Sequence, residues 1–105
     1  MDASALIPAL KLHARIDTDT ENAGLALMLA TAAQDVAQAA AYTLPEDALD
    51  LPADITFAII DHAARLYDLR GADDAKPGLS LAASRITHRY RGVSLGLSDI
   101  EAEGA

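Results

Sequence analysis

Three histidines, at positions His13, His62 and His88, are the side chains of this sequence best suited to acid–base or metal chemistry. A zinc site needs three or four ligands, but no histidine here has a partner at ligand spacing and the sequence has no cysteine. His62 falls between the polar strip and the apolar face of a predicted helix, so we expect a hydrogen-bonded structural histidine. We therefore predict no metal site. An activity sensitive to substitution of His62 would favour the alternative, a small enzyme.

The acidic residues Asp17, Asp19 and Glu21 alternate as at the start of a calcium-binding loop. Such a loop has glycine at its sixth position and glutamate at its twelfth, where this sequence has Asn22 and Met28. We interpret the acidic stretch instead as the start of a helix. A threonine stands three residues before Glu21, which is the spacing of a capping box.

Motifs for phosphate binding and nucleophilic catalysis are also missing. The stretch from Gly71 to Lys76 contains no Gly-Lys-Ser/Thr, and no serine stands in a Gly-x-Ser-x-Gly turn. No segment combines a nucleophile, a base and oxyanion donors. We predict that the chain is not an enzyme, with no catalytic residues and no cofactor.

Length and composition indicate one small, acidic domain. The chain has 105 residues, a formal net charge of −8 and 51% apolar residues, many of them alanine. Phosphate affinity comes mostly from Lys and Arg, so this charge disfavours tight wrapping of DNA. The alanine-rich core would be helped by oligomerisation. We see no signal peptide and no apolar run of about 18 residues that would span a membrane.

Positive charge is concentrated near the C-terminus, at Arg85, Arg89 and Arg91, with Tyr90 among them. Two interpretations stay open. The arginines could form surface salt bridges at a helix end, or the group could be a contact patch, since Tyr and Arg are favoured at the centres of interfaces.

A long helix over residues 18–41 is the predicted organising element. Its apolar residues recur at helical spacing and predict a buried stripe of Leu25, Leu29, Ala32, Val36 and Ala40. A second ridge consists of small residues that would let another helix come close. We expect it to pack against a neighbouring subunit, through Ala26, Ala30, Ala33 and Ala37.

The remaining pattern predicts a short N-terminal helix with Pro8 in its first turn, a second long helix from Pro52 to Arg70, and a loop from Gly71 to Gly78. A short third helix then starts at residue 79 or 80 and ends at Gly92. The predicted fold class is all-α: a small helical bundle with two long antiparallel helices.

An extended C-terminal arm is predicted after Gly92, because three apolar residues alternate with small polar ones, at Val93, Leu95 and Leu97. The chain is thus divided into a helical domain, residues 1–92, and an arm, residues 93–105.

Three segments of the sequence resemble a known protein family. Residues 10–22 (Leu-Lys-Leu-His-Ala-Arg-Ile-Asp-Thr-Asp-Thr-Glu-Asn) resemble the N-terminal signature of the small head–tail connector, or adaptor, proteins of long-tailed phages, although Ala14 stands where a leucine is common. The segment from Leu51 to Arg70 is similar to the family's second long helix, and residues 89–91 to its closing Tyr-Arg segment. The match covers about residues 6–92. The alanine-rich composition is also similar to the adaptor of phage-like gene transfer agent particles.

The resemblance implies a subunit of a homo-oligomeric ring, commonly a dodecamer, in the neck of a virion or phage-like particle. Such a ring joins the portal to the tail-side stopper and lets DNA pass through its lumen without sequence-specific binding. It is assembled in the bacterial cytoplasm and has no membrane partner. The C-terminal segment of such adaptors docks on the portal. We therefore assign the partner interface to Arg85, Arg89, Tyr90, Arg91, Val93, Leu95 and Leu97.

The alternative function is a small soluble helical regulator or protein-binding module that acts as a monomer or dimer. The size of the protein in solution discriminates the two hypotheses.

Overall fold

A computed structural model describes the backbone of residues 1–70 and 78–104, with side chains described up to Gly92. In these residues the chain forms four α-helices: α1 (Ile7–Ala14), α2 (Asn22–Ala40), α3 (Ala53–Leu69) and α4 (Leu81–Gly104). Short 3-10 turns cover Ala3–Leu6 and Ala48–Asp50, and the described residues include no strand. The predicted all-α small bundle is confirmed. Residues 71–77 of the predicted loop lie outside the described residues.

The first helix begins as predicted, with Pro8 in its first turn, where a missing N–H costs no hydrogen bond. It ends at Ala14, and the next residue, Arg15, has a left-handed backbone with φ of 59° and donates its N–H to the Lys11 carbonyl. The chain then turns toward α2.

The predicted capping box at the start of α2 is wrong. The helix begins at Asn22, and neither side chain of the predicted box caps it. The Thr18 hydroxyl accepts from the Thr20 N–H at 3.3 Å instead. The Glu21 carboxylate does not cap the helix, because it accepts hydrogen bonds from Tyr67 and Arg70 at the far end of α3.

The core lies where α2 and α3 pack together, and both α4 and α1 pack against this pair. The start of α2 contacts the end of α3, so these two long helices run antiparallel. Every residue of the predicted buried stripe of α2 is buried: Leu25, Leu29, Ala32, Val36 and Ala40. From α3 the core takes Ile55, Ala58, Ile59 and Ala63, each fully inaccessible to solvent.

The fourth helix starts at Leu81, just after the predicted start at residue 79 or 80, and ends later than predicted. Ser80 precedes it, and its hydroxyl accepts from the Ala83 N–H at 3.2 Å, which satisfies one of the free donors of the first turn. The predicted end at Gly92 and the extended arm are wrong, because the backbone remains helical to Gly104. An extended segment needs a partner strand, whereas a helix that already exists gains one hydrogen bond for each residue added.

The side chains of Val93, Leu95 and Leu97 lie outside those described, so their assignment to an interface stays a prediction. The same holds for the division of the chain at residue 92. Among the described helices, none combines the length and the apolar character needed to cross a bilayer.

Candidate interaction surfaces

His62 connects three helices from within the core. Its side chain is 2% exposed, and Nε2 lies 3.0 Å from Oδ2 of Asp35 on α2. Nδ1 lies 3.3 Å from the backbone nitrogen of Ser80, just before α4. An amide N–H can only donate, so Nδ1 carries the lone pair and Nε2 donates its proton to Asp35. The prediction of a hydrogen-bonded structural histidine is confirmed.

Asp35, His62 and Ser80 do not form a nucleophilic triad, although the residue types suggest one. A triad needs the serine hydroxyl hydrogen-bonded to the imidazole. Here the Ser80 hydroxyl accepts from Ala83, and only its backbone N–H reaches His62. Within the described part of the chain, no group of three His, Asp or Glu side chains is placed to hold a metal ion. The arrangement positions helices.

A second polar cluster ties the start of α2 to the end of α3. The Glu21 carboxylate accepts from the Tyr67 hydroxyl at 2.8 Å and from the Arg70 guanidinium at 2.7 Å. Arg70 also lies over the Tyr67 ring, 4.1 Å from its centroid. The Tyr67 hydrogen bond, followed by that of Arg70, lowers the pKa of Glu21, and the Glu21 carboxylate in turn raises the pKa of Tyr67.

The side chain of His13 joins α1 to α3. Its Nε2 lies 3.0 Å from Oδ1 of Asp61, and its ring meets Phe57 edge to face with centroids 5.8 Å apart. On the other side of α1, Lys11 forms an ion pair with Asp19, and that hydrogen bond lowers the pKa of the Asp19 carboxyl. The sequence had not indicated these contacts.

The residues assigned to a partner interface on α4 divide into two groups. Tyr90 is half-buried and donates a 2.7 Å hydrogen bond to Asp54, which raises the pKa of Tyr90 to about 12, with a further contribution from burial. Arg91 is exposed and reaches the Gln38 carbonyl at 3.5 Å. Arg85 and Arg89 point outward, with the Arg89 side chain 66% exposed. Of this group, Tyr90 serves the subunit's own packing, and the arginines face solvent.

The small-residue ridge of α2 is also divided. Ala33 and Ala37 are buried inside the chain's own core, at 2% and 9% exposure. Ala26 is half-buried and Ala30 is exposed. Packing of this ridge against a neighbouring subunit stays a prediction, and only the half of α2 that carries Ala26 and Ala30 is accessible for it.

Several large apolar side chains are exposed to solvent, a feature that sequence patterning had not singled out. They come from every described helix and from the turn before α3, and the most accessible are Leu12 and Leu49, each 84%, Leu27, 70%, and Leu81, 68%. Exposed leucines placed singly are ordinary, but those beside complementary charge are candidates for contact with another molecule.

The polar networks described above join the chain's own helices, and charged and apolar side chains are left on the surface. This arrangement defines a small helical domain whose polar contacts hold its own helices together. The family model of phage gp6-like head-tail connector proteins matches residues 5–90, and the chain belongs to that family.

Neither a curated protein nor a solved structure matches the chain. The family match confirms the resemblance to phage head–tail connectors, and the gene transfer agent assignment stays a prediction. A connector is a structural component at the junction of the phage head and tail, and its role is not catalytic.

Proposed function

We propose that this connector works as the subunit of a homo-oligomeric ring in the neck of the particle. The ring joins the portal protein to the tail-side stopper and leaves a channel for DNA. The observation that carries the proposal is the family match over residues 5–90, which covers α1 to α3 and the first ten residues of α4.

Surface chemistry supports association with other proteins. The exposed leucines and the outward arginines of α4 leave both apolar and charged groups for contacts outside the chain. Burial of apolar area gains about 25 cal/mol for each Å² removed from water, so even isolated leucines contribute when a partner covers them.

The net charge of −8 supports passage of DNA through the ring rather than binding to it. DNA is held by Lys and Arg that neutralise phosphates, and a net-negative subunit repels a polyanion. We expect no sequence-specific DNA binding.

The C-terminal part of α4 is the proposed portal-docking element. Among the side chains that the structure describes, Ala83 to Arg91 contact the bundle, and the backbone of α4 is helical to Gly104. Its 24 residues span about 36 Å at 1.5 Å per residue. Because the segment is helical, we propose that it docks as a helix in a groove of the portal. The interface with the portal or a neighbouring subunit would include Arg85, Arg89, Arg91, Val93, Leu95 and Leu97.

We further propose twelve copies in the ring, assembly in the bacterial cytoplasm, and a phage or a gene transfer agent as the source. These details rest on the resemblance to adaptors of long-tailed phages. The copy number is counted directly in images of the assembled particle.

Portal binding tests the function. The full chain and a variant lacking residues 93–105 are each mixed with the portal protein of the same particle, and co-sedimentation is measured. We expect the full chain to bind and the truncated chain to keep its helical circular dichroism but lose binding. A full chain that stays monomeric and never binds the portal would favour the alternative, a small helical binding module.

A second variant, Arg89→Glu, separates assembly from folding. Its charge is reversed on the outward side of α4, so we expect assembly to weaken more than thermal stability. Assembly at the wild-type level would remove Arg89 from the proposed interface.

A further inference from the structure

One side of α4 is a basic face that the bundle leaves uncovered. It consists of Leu81, Arg85, His88, Arg89 and Gly92, whose spacings of four, three, one and three residues place them on the same side of a helix. All five residues are exposed, and Leu81 is 68% exposed. This face therefore presents one large apolar side chain at its start and the guanidinium groups of Arg85 and Arg89 along its length.

The arginines of the basic face have few acidic partners within the same chain. In the part of the chain that the structure describes, Arg85 makes no hydrogen bond or ion pair, and Arg89 reaches only Asp54, at 4.0 Å. A contact at that distance between side chains that are 66% and 39% exposed is weak. The basic face is thus available for a negatively charged partner.

A surface of the opposite charge lies in the turn before α3, called here the acidic turn: Glu46, Asp47, Leu49 and Asp50. Asp47 is used locally, because its carboxylate accepts from the Leu49 N–H at 2.9 Å. Glu46 and Asp50 are exposed, and no described side chain pairs with their carboxylates. Leu49 is 84% exposed, so the acidic turn also presents one large apolar side chain.

We propose that the basic face of α4 in one copy docks on the acidic turn of a second copy. The proposal rests on the ring described above and names the surfaces by which its copies meet. The cations of the basic face would pair with the carboxylates of the acidic turn, and Leu81 would pack against Leu49. Opposite charges across an interface guide encounter and fix the pairing, while like charges oppose wrong pairings. Copies with a net charge of −8 repel each other at long range, so attraction is confined to orientations that bring these two surfaces together.

Two charge reversals on the full chain test this pairing. The first variant carries Glu46→Lys with Asp50→Lys, and the second carries Arg85→Glu with Arg89→Glu. Association is measured by sedimentation velocity over a range of concentrations, with circular dichroism to check the fold. Arg85→Glu alone is a companion to the second variant, because it leaves the contact between Arg89 and Asp54 intact. Asp17→Lys with Asp68→Lys is the matched control, since it makes the same charge change as the first variant at two other exposed acids.

We expect each reversed variant alone to associate roughly tenfold or more weakly than wild type, and the control to associate at least as well as wild type. A 1:1 mixture of the two variants should recover association, because each reversed surface then meets its complement. Wild-type association should also fall as salt rises from about 0.05 to 0.5 M, since exposed charges are screened.

Three results would overturn the proposal. Reversed variants that associate like wild type would show that copies meet through other surfaces, and the ring itself would stand. If the wild type and the mixture both stay monomeric at every concentration, the proposed contact between copies is excluded. Portal binding would still decide the connector function. The charge reversal at Arg85 and Arg89 could instead reduce binding to duplex DNA and leave association between copies unchanged. That result would make the basic face a DNA-binding surface.

Discussion

The Tyr90 hydroxyl donates a 2.7 Å hydrogen bond to Oδ1 of Asp54 and so joins α4 to the first turn of α3. The same oxygen accepts from the Ile55 N–H at 2.9 Å. The Tyr90 ring also meets Tyr42 edge to face, with centroids 6.0 Å apart. Tyr90 therefore anchors α4 inside the subunit, and the neighbouring Arg89 is left on the outside.

The Asp54 contact predicts a stability change in alkali. The hydrogen bond to the carboxylate, and then burial, raise the pKa of Tyr90 from 10.0 to about 12. A group whose pKa is raised on folding stabilises the fold fully below its unfolded pKa, and that contribution is lost as pH rises through the folded value. Stability that depends on Tyr90 should thus decline between about pH 10 and 12.

Tyr90→Phe removes that titration. We expect the variant to be less stable than wild type at neutral pH and to lose less further stability across the alkaline window. Thermal unfolding at a series of pH values measures this, with Tyr42→Phe as the control because Tyr42 shares the ring contact. If the thermal midpoints of wild type and Tyr90→Phe fall equally as pH rises from about 10 to 12, the expectation is contradicted.

Substitution of His62 should destabilise the bundle far more than substitution of an exposed histidine. His62→Ala removes a buried ring and leaves the Ser80 N–H without its acceptor, which we expect to cost about 2–5 kcal/mol. His88→Ala is the control, since His88 is exposed on α4. Urea denaturation at neutral pH measures both, and equal midpoints would show that the contacts of His62 add nothing net.

Much of the fold could be predicted because helix periodicity is a local property. The stripe of α2 from Leu25 to Ala40 was predicted from residues three and four apart, and all of it is buried. Pro8 marked the first turn of α1, and Pro52 stands directly before α3. These signals lie within one or two helical turns, so no knowledge of distant residues was needed.

The errors arose where distant residues compete with local patterns. Glu21 has the spacing of a capping residue, but Tyr67 and Arg70, 46 and 49 residues further along, take its carboxylate. The alternation after Gly92 is only three apolar residues long, too little to outweigh propagation of a helix.

The candidate interface was only partly predictable. The position of Tyr90, four residues after the buried Ile86, placed it on the inner side of α4, and that signal was available. The exposure of Leu49 and Leu81 was not, because an apolar residue in a turn or in a first helical turn gives no sign of the side it faces.

Core packing between α2 and α3 predicts a large cost for truncating Ile59. This side chain is fully inaccessible to solvent in the centre of α3, so Ile59→Ala should reduce the free energy of unfolding by about 2–5 kcal/mol. Leu27→Ala is the control: it also truncates an aliphatic side chain on a helix, but Leu27 is 70% exposed, and we expect a change within about 0.5 kcal/mol. Chemical denaturation compares the two, and similar losses would place Ile59 outside the packed core.

The Glu21 cluster predicts loss of stability in acid. Hydrogen bonds from Tyr67 and Arg70 lower the pKa of Glu21 below its ordinary value of 4.5. A carboxyl group whose pKa falls on folding stabilises the fold above its unfolded pKa, and that contribution is lost as pH falls through the folded value. Glu21→Gln removes this titration, so we expect lower stability than wild type at pH 7 and a shallower decline from about pH 5 to 3. Glu46→Gln is the control, because Glu46 is exposed and lies outside the cluster. Thermal midpoints across this pH range provide the measurement, and an acid decline in Glu21→Gln as steep as that of wild type would exclude the cluster as a source of acid sensitivity.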